Sequence, residues 1–303
     1  MRSKQVLEVK QHWESTAAAM ASMPPPDEWR DKTEQEWTKL TAEPGNVDYL
    51  EVEAGGVPAM WIVPRNCVKN RVLLCMHGGG YFSGSMYTHR KMFGHLAKAV
   101  GCRALNIHYR LSPEHVHPAQ IDDTIAAYRW LLDQGIEGRH IALVGDSAGG
   151  GLAIAGLLRA RDSRLPAPAG AMTISAWLDM EMQGESYETN REKDVLFRRE
   201  NVGPLVGMFL GEHGDRQDPY ASPTHATLTG LPPIFMQVGA DECLLDDSRN
   251  FARKAEEESV EVTLEVFPDM LHTFQMAAGR APEADQALNK MADWGRPILG
   301  LAE

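Results

Sequence analysis

The sequence predicts an α/β protein: a mostly parallel central sheet covered on both faces by helices, with a helical cap. Three observations carry this. Apolar runs such as "RVLLCMH" (71–77), "IALVG" (141–145) and "PIFMQVG" (233–239) are continuous rather than alternating, as strands buried on both faces must be. Amphipathic stretches of helical length alternate with these runs along the chain. The 303 residues, 43% hydrophobic and 24% charged, are enough for one large domain with a substantial core.

Residues 1–45 differ from the rest. They hold Trp13, Trp29 and Trp37 and read as two helices on either side of the "MPPPDE" break at 23–28, with Asp27 expected to cap the second. Two helices are too small to bury three tryptophans alone, so this segment is expected to lie over something else. Residues 46–303 are expected to form the main domain. It opens with a hairpin, "VDYLEVEA" and "VPAMWIVP" joined at Gly55-Gly56.

The alternation then runs strand 71–77, helix 88–100, strand 102–109, helix 118–134, strand 141–145, helix 148–161 and strand 169–175. It resumes with strand 233–239, helix 246–258, strand 262–267 and helix 283–296. Between them, 180–215 has weak periodicity and is expected to join the amino-terminal helices as a lid.

A formal charge of −12 argues against a nucleic-acid partner, which needs a basic footprint. The local "FRRE" at 197–200 reads as a solvated face. Cys67, Cys75, Cys102 and Cys243 form no Cys-x-x-Cys pair and read as buried thiols in a reducing compartment. Charges at Lys4, Glu8, Lys10 and Glu14 interrupt any secretory apolar core, and no apolar run approaches the roughly 18 residues of a membrane span. The expectation is a soluble cytoplasmic protein.

Two motifs carry chemistry. Gly145-Asp146-Ser147-Ala148-Gly149 fits Gly-x-Ser-x-Gly between a strand and a helix. Small neighbours let the chain fold back sharply and leave Ser147 at the apex, while the helix start directs free amides toward it. The second is "CMHGGGYFSGS" (75–85), where Gly78-Gly79-Gly80 leaves backbone amides uncovered. In an acyl-transfer enzyme such amides, with that of Ala148, hold a developing oxyanion, each typically worth about 3 kcal/mol in the transition state. Gly78, Gly79 and Ala148 are the expected donors.

With these motifs the chain resembles the bacterial hormone-sensitive-lipase family of α/β-hydrolase esterases. The matching segments are "HGGG" (77–80), "YRLSPEH" (109–115), "GDSAGGGLA" (145–153), "LPP" (231–233) and "LHTFQ" (271–275), in the family's order from about residue 46 onward. The resemblance implies an α/β-hydrolase core with a helical cap and hydrolysis of small carboxylic esters, with no metal or cofactor. It makes Ser147 the nucleophile and His272, after the last strand, the general base. His77 is expected to brace the glycine loop, and His115 and His117 to hydrogen-bond around the "SPE" turn.

The acid departs from the family's Asp-Pro-Leu-x-Asp: here stands "ADECLLDD" (240–247). Matching Leu244 and Asp246 to the pattern puts the acid at Glu242, about thirty positions before His272 as in relatives. Asp241 is the rival. Successive side chains at a strand end point to opposite sides, so only one can face the imidazole. Asp246 and Asp247 are expected to cap the next helix.

Tyr81, Phe82, Trp177, Leu178 and Leu271 neighbour these loops in sequence and are the candidate pocket lining. The family resemblance implies acetyl to roughly hexanoyl esters. Two other readings share the fold: a ligand-binding protein without chemistry, as in related hormone receptors, and an amide or lactone hydrolase. The family also often pairs across its last strand and helix. Here that implies a homodimer through "VTLEVF" and "EADQALNKMADWG", with Leu288, Met291 and Trp294 on one stripe.

Overall fold

The computed structural model describes residues 3–20, 22 and 24–302, so Met23 of the proline break lies outside the described residues. Helices α1 (Lys4–Met20) and α2 (Pro26–Trp37) open the chain. α1 buries Val6, Val9, Trp13 and Thr16, and α2 buries Trp29, Thr33 and Trp37, each a single stripe at helical spacing. Trp13 and Trp37 meet edge to face at 5.4 Å, which ties the two helices together. Asp27 does not cap α2: the helix already begins at Pro26, with Pro25 at its N-cap and no side-chain cap bond. Proline fixes the start, and Asp27 falls in the first turn, where its charge suits the helix dipole.

The hairpin forms as β1 (Val47–Ala54) and β2 (Val57–Pro64), with Ala54 opposite Val57 across the two-glycine turn. Six further strands follow: β3 (Val68–Met76), β4 (Cys102–Ile107), β5 (Ile141–Asp146), β6 (Gly170–Ile174), β7 (Ile234–Gly239) and β8 (Val262–Phe267). The sheet order is β1-β2-β4-β3-β5-β6-β7-β8. All pairings from β4 onward in that order are parallel, while β1-β2 and β2-β4 are antiparallel.

The continuous apolar runs serve two cores. Leu73 and Cys75 of β3 face one, with α3 (Met86–Val100) and α9 (Pro282–Ile298); Val72, Leu74 and Met76 face the other, with α4 (Ala119–Asp133), α5 (Ala148–Asp162) and α8 (Leu245–Glu257). β5, β6 and β7 are buried throughout; the outermost strands β1 and β8 are largely half-exposed or exposed. α3 starts at Met86, earlier than its apolar pattern suggests, because Ser85 and Thr88 form a capping box. Leu288 and Met291 of α9 are buried in the core and Trp294 packs on Phe235 at 5.6 Å, so the stripe faces the sheet.

The stretch 180–215 holds only α6 (Ser186–Thr189) and α7 (Arg199–Leu210). Its weak periodicity has a cause: α6 is only four residues long, and α7 carries Gly203, Pro204 and Gly207 among its apolar positions. Among the described residues, no helix is long and apolar enough to cross a membrane.

Candidate active site

β5 and α5 meet at Ser147, which has φ 54° and ψ −122°. A side chain there is strained, and the turn is possible only because its flanks are glycine. A Cβ on Gly145 would lie 2.0 Å from the Gly149 carbonyl oxygen, and one on Gly149 would lie 2.0 Å from that of Met76. The Ser147 amide donates to the Ile174 carbonyl at 2.8 Å, which ties the corner to β6.

Ser147 Oγ lies 3.0 Å from His272 Nε2, and His272 Nδ1 lies 2.9 Å from Glu242 Oε2. The three side chains form one buried hydrogen-bonded line drawn from the ends of β5, β7 and β8. Burial opposes a charge on His272, but the hydrogen bond and charge of Glu242, helped by Asp194 and Asp146, outweigh it and raise its pKa. Asp241 faces away: its carboxylate sits 3.5 Å from Lys193 Nζ. Trp13 Nε1 donates to the His272 backbone carbonyl at 2.9 Å.

The glycine loop corrects one expectation. The Gly78 amide already donates to Asp146 Oδ1 at 3.0 Å, so it is not a spare donor. The glycines on the cavity wall beside Ser147 are Gly79 and Gly80. Gly79 must be glycine, with φ 122° and a would-be Cβ 2.1 Å from the Ser83 carbonyl oxygen. Ala148, the first residue of α5, follows Ser147 directly.

Histidines brace this loop. His77 donates from Nδ1 to the Gly78 carbonyl at 2.9 Å and stacks on Tyr109, whose hydroxyl donates to the His77 carbonyl at 2.7 Å. Burial, then the neighbouring His108 and His89, push its pKa well down, so it stays neutral. His117 pairs with Asp218 at 3.3 Å, and the His115 carbonyl accepts from Gln120. A second buried carboxylate–imidazole pair was not foreseen: His89 Nε2 lies 3.2 Å from Asp146 Oδ2, with Thr88 Oγ1 2.7 Å from its Nδ1.

Ser147 and His272 open on a cavity of about 580 Å³, counting its mouth. Of the five expected lining residues, only Phe82 is on its wall. The Tyr81 ring instead stacks on Phe209 at 3.8 Å, Trp177 packs edge-on to Phe197 at 5.1 Å, and Leu178 and Leu271 are buried off the wall. Nearness in sequence to a loop does not fix side-chain direction: adjacent residues Tyr81 and Phe82 point to different places. Residues 1–45 and 180–215 supply much of the wall, with Trp13, Trp29, Trp37, Phe197, Val202 and Leu205. The surplus of tryptophans in residues 1–45 was the readable signal for the first three. A second cavity of about 940 Å³ shares Met20, Trp29, Phe82 and Leu205 with the first.

Asp246 and Asp247 do not cap α8, which begins at Leu245 with no side-chain cap. Asp247 Oδ2 instead accepts from the Leu178 and Asp179 amides, and Asp246 Oδ2 from that of Ser186, because the segment after β6 lies across this helix start. Among the described residues, one cluster has metal-ligand spacing, Asp179, Glu181 and His225. It shares no residue with the cavity wall, and Glu181 is already bonded to His225, Gln183 and Gln217.

Comparison with known proteins identifies the fold and the family. Residues 73–276 match a family described by its α/β hydrolase fold. The chain is 38% identical over 270 residues to an acetyl-hydrolase of Streptomyces hygroscopicus, covering 89% of this chain and 88% of that one. It is 37% identical to an esterase of Acinetobacter venetianus, covering 75% of each. It superposes with a TM-score of 0.92, at 39% identity and over 99% of this chain and 100% of the other, on the crystal structure of an esterase from the bacterial hormone-sensitive lipase family. The chain therefore belongs to the bacterial hormone-sensitive-lipase family of esterases, on the α/β hydrolase fold.

Proposed function

We propose that this carboxylic ester hydrolase cleaves short-chain acyl esters through a serine acyl-enzyme. The observation that carries the reading is the line Ser147 Oγ–His272 Nε2 at 3.0 Å and His272 Nδ1–Glu242 Oε2 at 2.9 Å. Ser147 Oγ attacks the ester carbonyl while His272 Nε2 takes its proton. The amides of Gly79, Gly80 and Ala148 then hold the oxyanion. Collapse breaks the C–O bond, and the same nitrogen gives its proton to the leaving alkoxide. Water, deprotonated by His272, then attacks the acyl carbonyl; the C–Oγ bond breaks, the carboxylic acid leaves, and His272 returns the proton to Ser147 Oγ. Glu242 keeps the imidazole in the tautomer with Nδ1–H and steadies its positive form.

Residues 1–45 with part of 180–215 act as the cap that closes the cavity, and its aromatic wall favours short acyl groups. The names of the relatives, an acetyl-hydrolase and an esterase, support the same range. A chromogenic ester series with amide and lactone arms tests this, with Ser147→Ala as blank. A C4 ester should be cleaved much faster than a C16 ester. Comparable rates, or faster amide or lactone cleavage, refute the substrate assignment. Stoichiometric labelling of Ser147 by a sulfonyl fluoride is expected, and an inert pocket would not react.

We further propose a cytoplasmic homodimer. Three of the four free cysteines are buried, as suits a reducing compartment. β8 ends the sheet on one side, so its outer backbone groups are available to a two-fold partner beside α9. Light scattering at the mass of a monomer would remove the dimer.

A further inference from the structure

We infer that Ser175 is a positioning residue for the reaction, a clamp that holds the acid and the loop of the base in one register. This rests on the assignment of Glu242 and His272 as acid and base. Ser175 stands immediately after β6 and is fully buried. Its Oγ donates to Glu242 Oε1 at 2.7 Å and accepts from the Thr273 amide at 3.1 Å. The directions are unambiguous, because an amide only donates. The single hydroxyl proton must therefore go to the carboxylate.

Oε1 also receives the Gly239 amide at 2.6 Å, so it has two donors and Oε2 is left for His272 Nδ1. A glutamate has one more rotatable bond than the family's aspartate and more ways to swing off the imidazole. The clamp on Oε1 removes that freedom. From the other side, Asn190 Nδ2 donates to the Ala240 and Glu242 carbonyls, so the backbone is pinned as well.

The backbone gives a second, independent sign. Ser147, Ser175 and Thr273 have φ of 54°, 48° and 47°, all left-handed and none glycine. They are consecutive in one chain of bonds: the Ser147 amide donates to the carbonyl of Ile174, and the Thr273 amide donates to Ser175 Oγ. Such conformations persist where the surroundings over-determine them, and they gather at functional sites. A glycine at 175 would relieve the strain but supply no hydroxyl. Retaining serine at a position that suits glycine points to the work of Oγ.

The test compares Ser175→Gly and Ser175→Ala with the unaltered protein on a butyrate ester, with kcat taken per folded molecule. For Ser175→Gly, relief of backbone strain should offset part of the Tm lost with the unpaired Thr273 amide, kcat should fall by about ten- to a hundredfold as misplacement effects run, and KM should stay within about twofold. The low-field proton resonance of His272 Nδ1–H should broaden or move upfield in the same variant. Ser175→Ala should lose activity equally, with no such offset in Tm. A lower Tm with unchanged kcat per folded molecule would mean a merely structural serine and overturn the inference. If Glu242→Ala and His272→Ala keep full activity, the assignment beneath it fails instead. If those two are inactive while Ser175→Gly is fully active, only the clamp is wrong.

Discussion

Two buried carboxylate–imidazole pairs flank Ser147, and they differ in what the second ring nitrogen of each imidazole meets; on the proposed mechanism one relays a proton and the other is a scaffold. Glu242 binds His272 at 2.9 Å and accepts the Gly239 amide; Asp146 binds His89 at 3.2 Å and accepts the Gly78 amide. Each therefore ties an imidazole to a glycine amide, that of Gly239 at the end of β7 and that of Gly78 in the loop after β3. What differs is the second ring nitrogen. That of His272 faces Ser147 Oγ, whereas that of His89 faces Thr88 Oγ1, whose hydroxyl bonds the Ser85 backbone within the cap of α3. A buried acid–histidine pair is thus not itself a catalytic signature; the partner of the other nitrogen decides its use.

The largest expected effects follow from that asymmetry. Ser147→Ala and His272→Ala should each lower kcat by about 10⁴- to 10⁶-fold, leaving the rate that binding and the oxyanion amides alone supply. His89→Ala should cost far less, on the order of tenfold, because no proton passes through it and only the support of Asp146 is lost. Similar losses at His89 and His272, measured under saturating substrate, would break the distinction. Asp146→Asn should fall between, by roughly 10²-fold, since it disturbs the carboxylate that fixes Gly78 next to the oxyanion amides. Its affinity for a boronic acid should drop in parallel with kcat, which a loss of proton transfer would not require.

The acid pair comes next. Glu242→Gln should reduce kcat by up to about 10⁴-fold, as tautomer-breaking acid replacements do, with the fold intact. Asp241→Asn should leave kcat within about threefold, because its carboxylate sits by Lys193 rather than the imidazole. The reverse order would move the acid to Asp241.

How much of this was legible in the sequence depends on what each feature rests on. The continuous apolar runs dictate the buried parallel strands, because few alternatives bury both faces of "IALVG" or "PIFMQVG". The placing of Glu242 opposite His272 could be anticipated from the resemblance, which supplies the acid motif and its distance from the histidine; strand alternation says only that Asp241 and Glu242 cannot both face the ring. Which glycine amide remains free could not. That depends on Asp146 reaching across to Gly78, a tertiary bond with no local trace. Tyr81 and Trp177 were misplaced for a similar reason: local sequence puts them near the loops, but packing on Phe209 and Phe197 turns their rings into the core. Asp247 read as a helix cap because its chain position suits one, whereas the amides it satisfies belong to residues 178 and 179.

A pH profile sharpens the comparison at smaller amplitude. The proposed mechanism needs His272 neutral, and its pKa lies above the ordinary 6.5, so on that mechanism the acid limb of kcat/KM should fall above pH 6.5. Glu242→Gln removes the main raising influence against burial, so the residual limb should move to lower pH. Stability runs the other way. A raised folded-state pKa gives a contribution that is complete below about pH 6.5 and is lost as pH rises through the folded value. Activity should therefore increase over the window in which this one stabilising contribution declines. A limb at or below 6.5 in the unaltered protein would contradict the environment described for His272.

The smallest effect tests whether α1 acts on the Ser147–His272–Glu242 line at all. Trp13 of α1 is nearly fully buried, stacks edge-on against Trp37, and donates its indole N–H to the His272 carbonyl. Trp13→Phe keeps much of the ring contact and removes the donor, leaving that carbonyl unpaired at a cost of about 1–3 kcal/mol to the docked cap. His89 receives no such bond from α1 among those described; its contact with the cap is the Trp37 ring at 5.9 Å. The substitution should therefore lower kcat by a few-fold through the His272 side while leaving the braced glycine loop intact. Boronate affinity should change less than kcat does. Equal changes in both would mean that α1 acts on the whole cavity rather than on the histidine loop, and the asymmetry between the two pairs would not extend to Trp13.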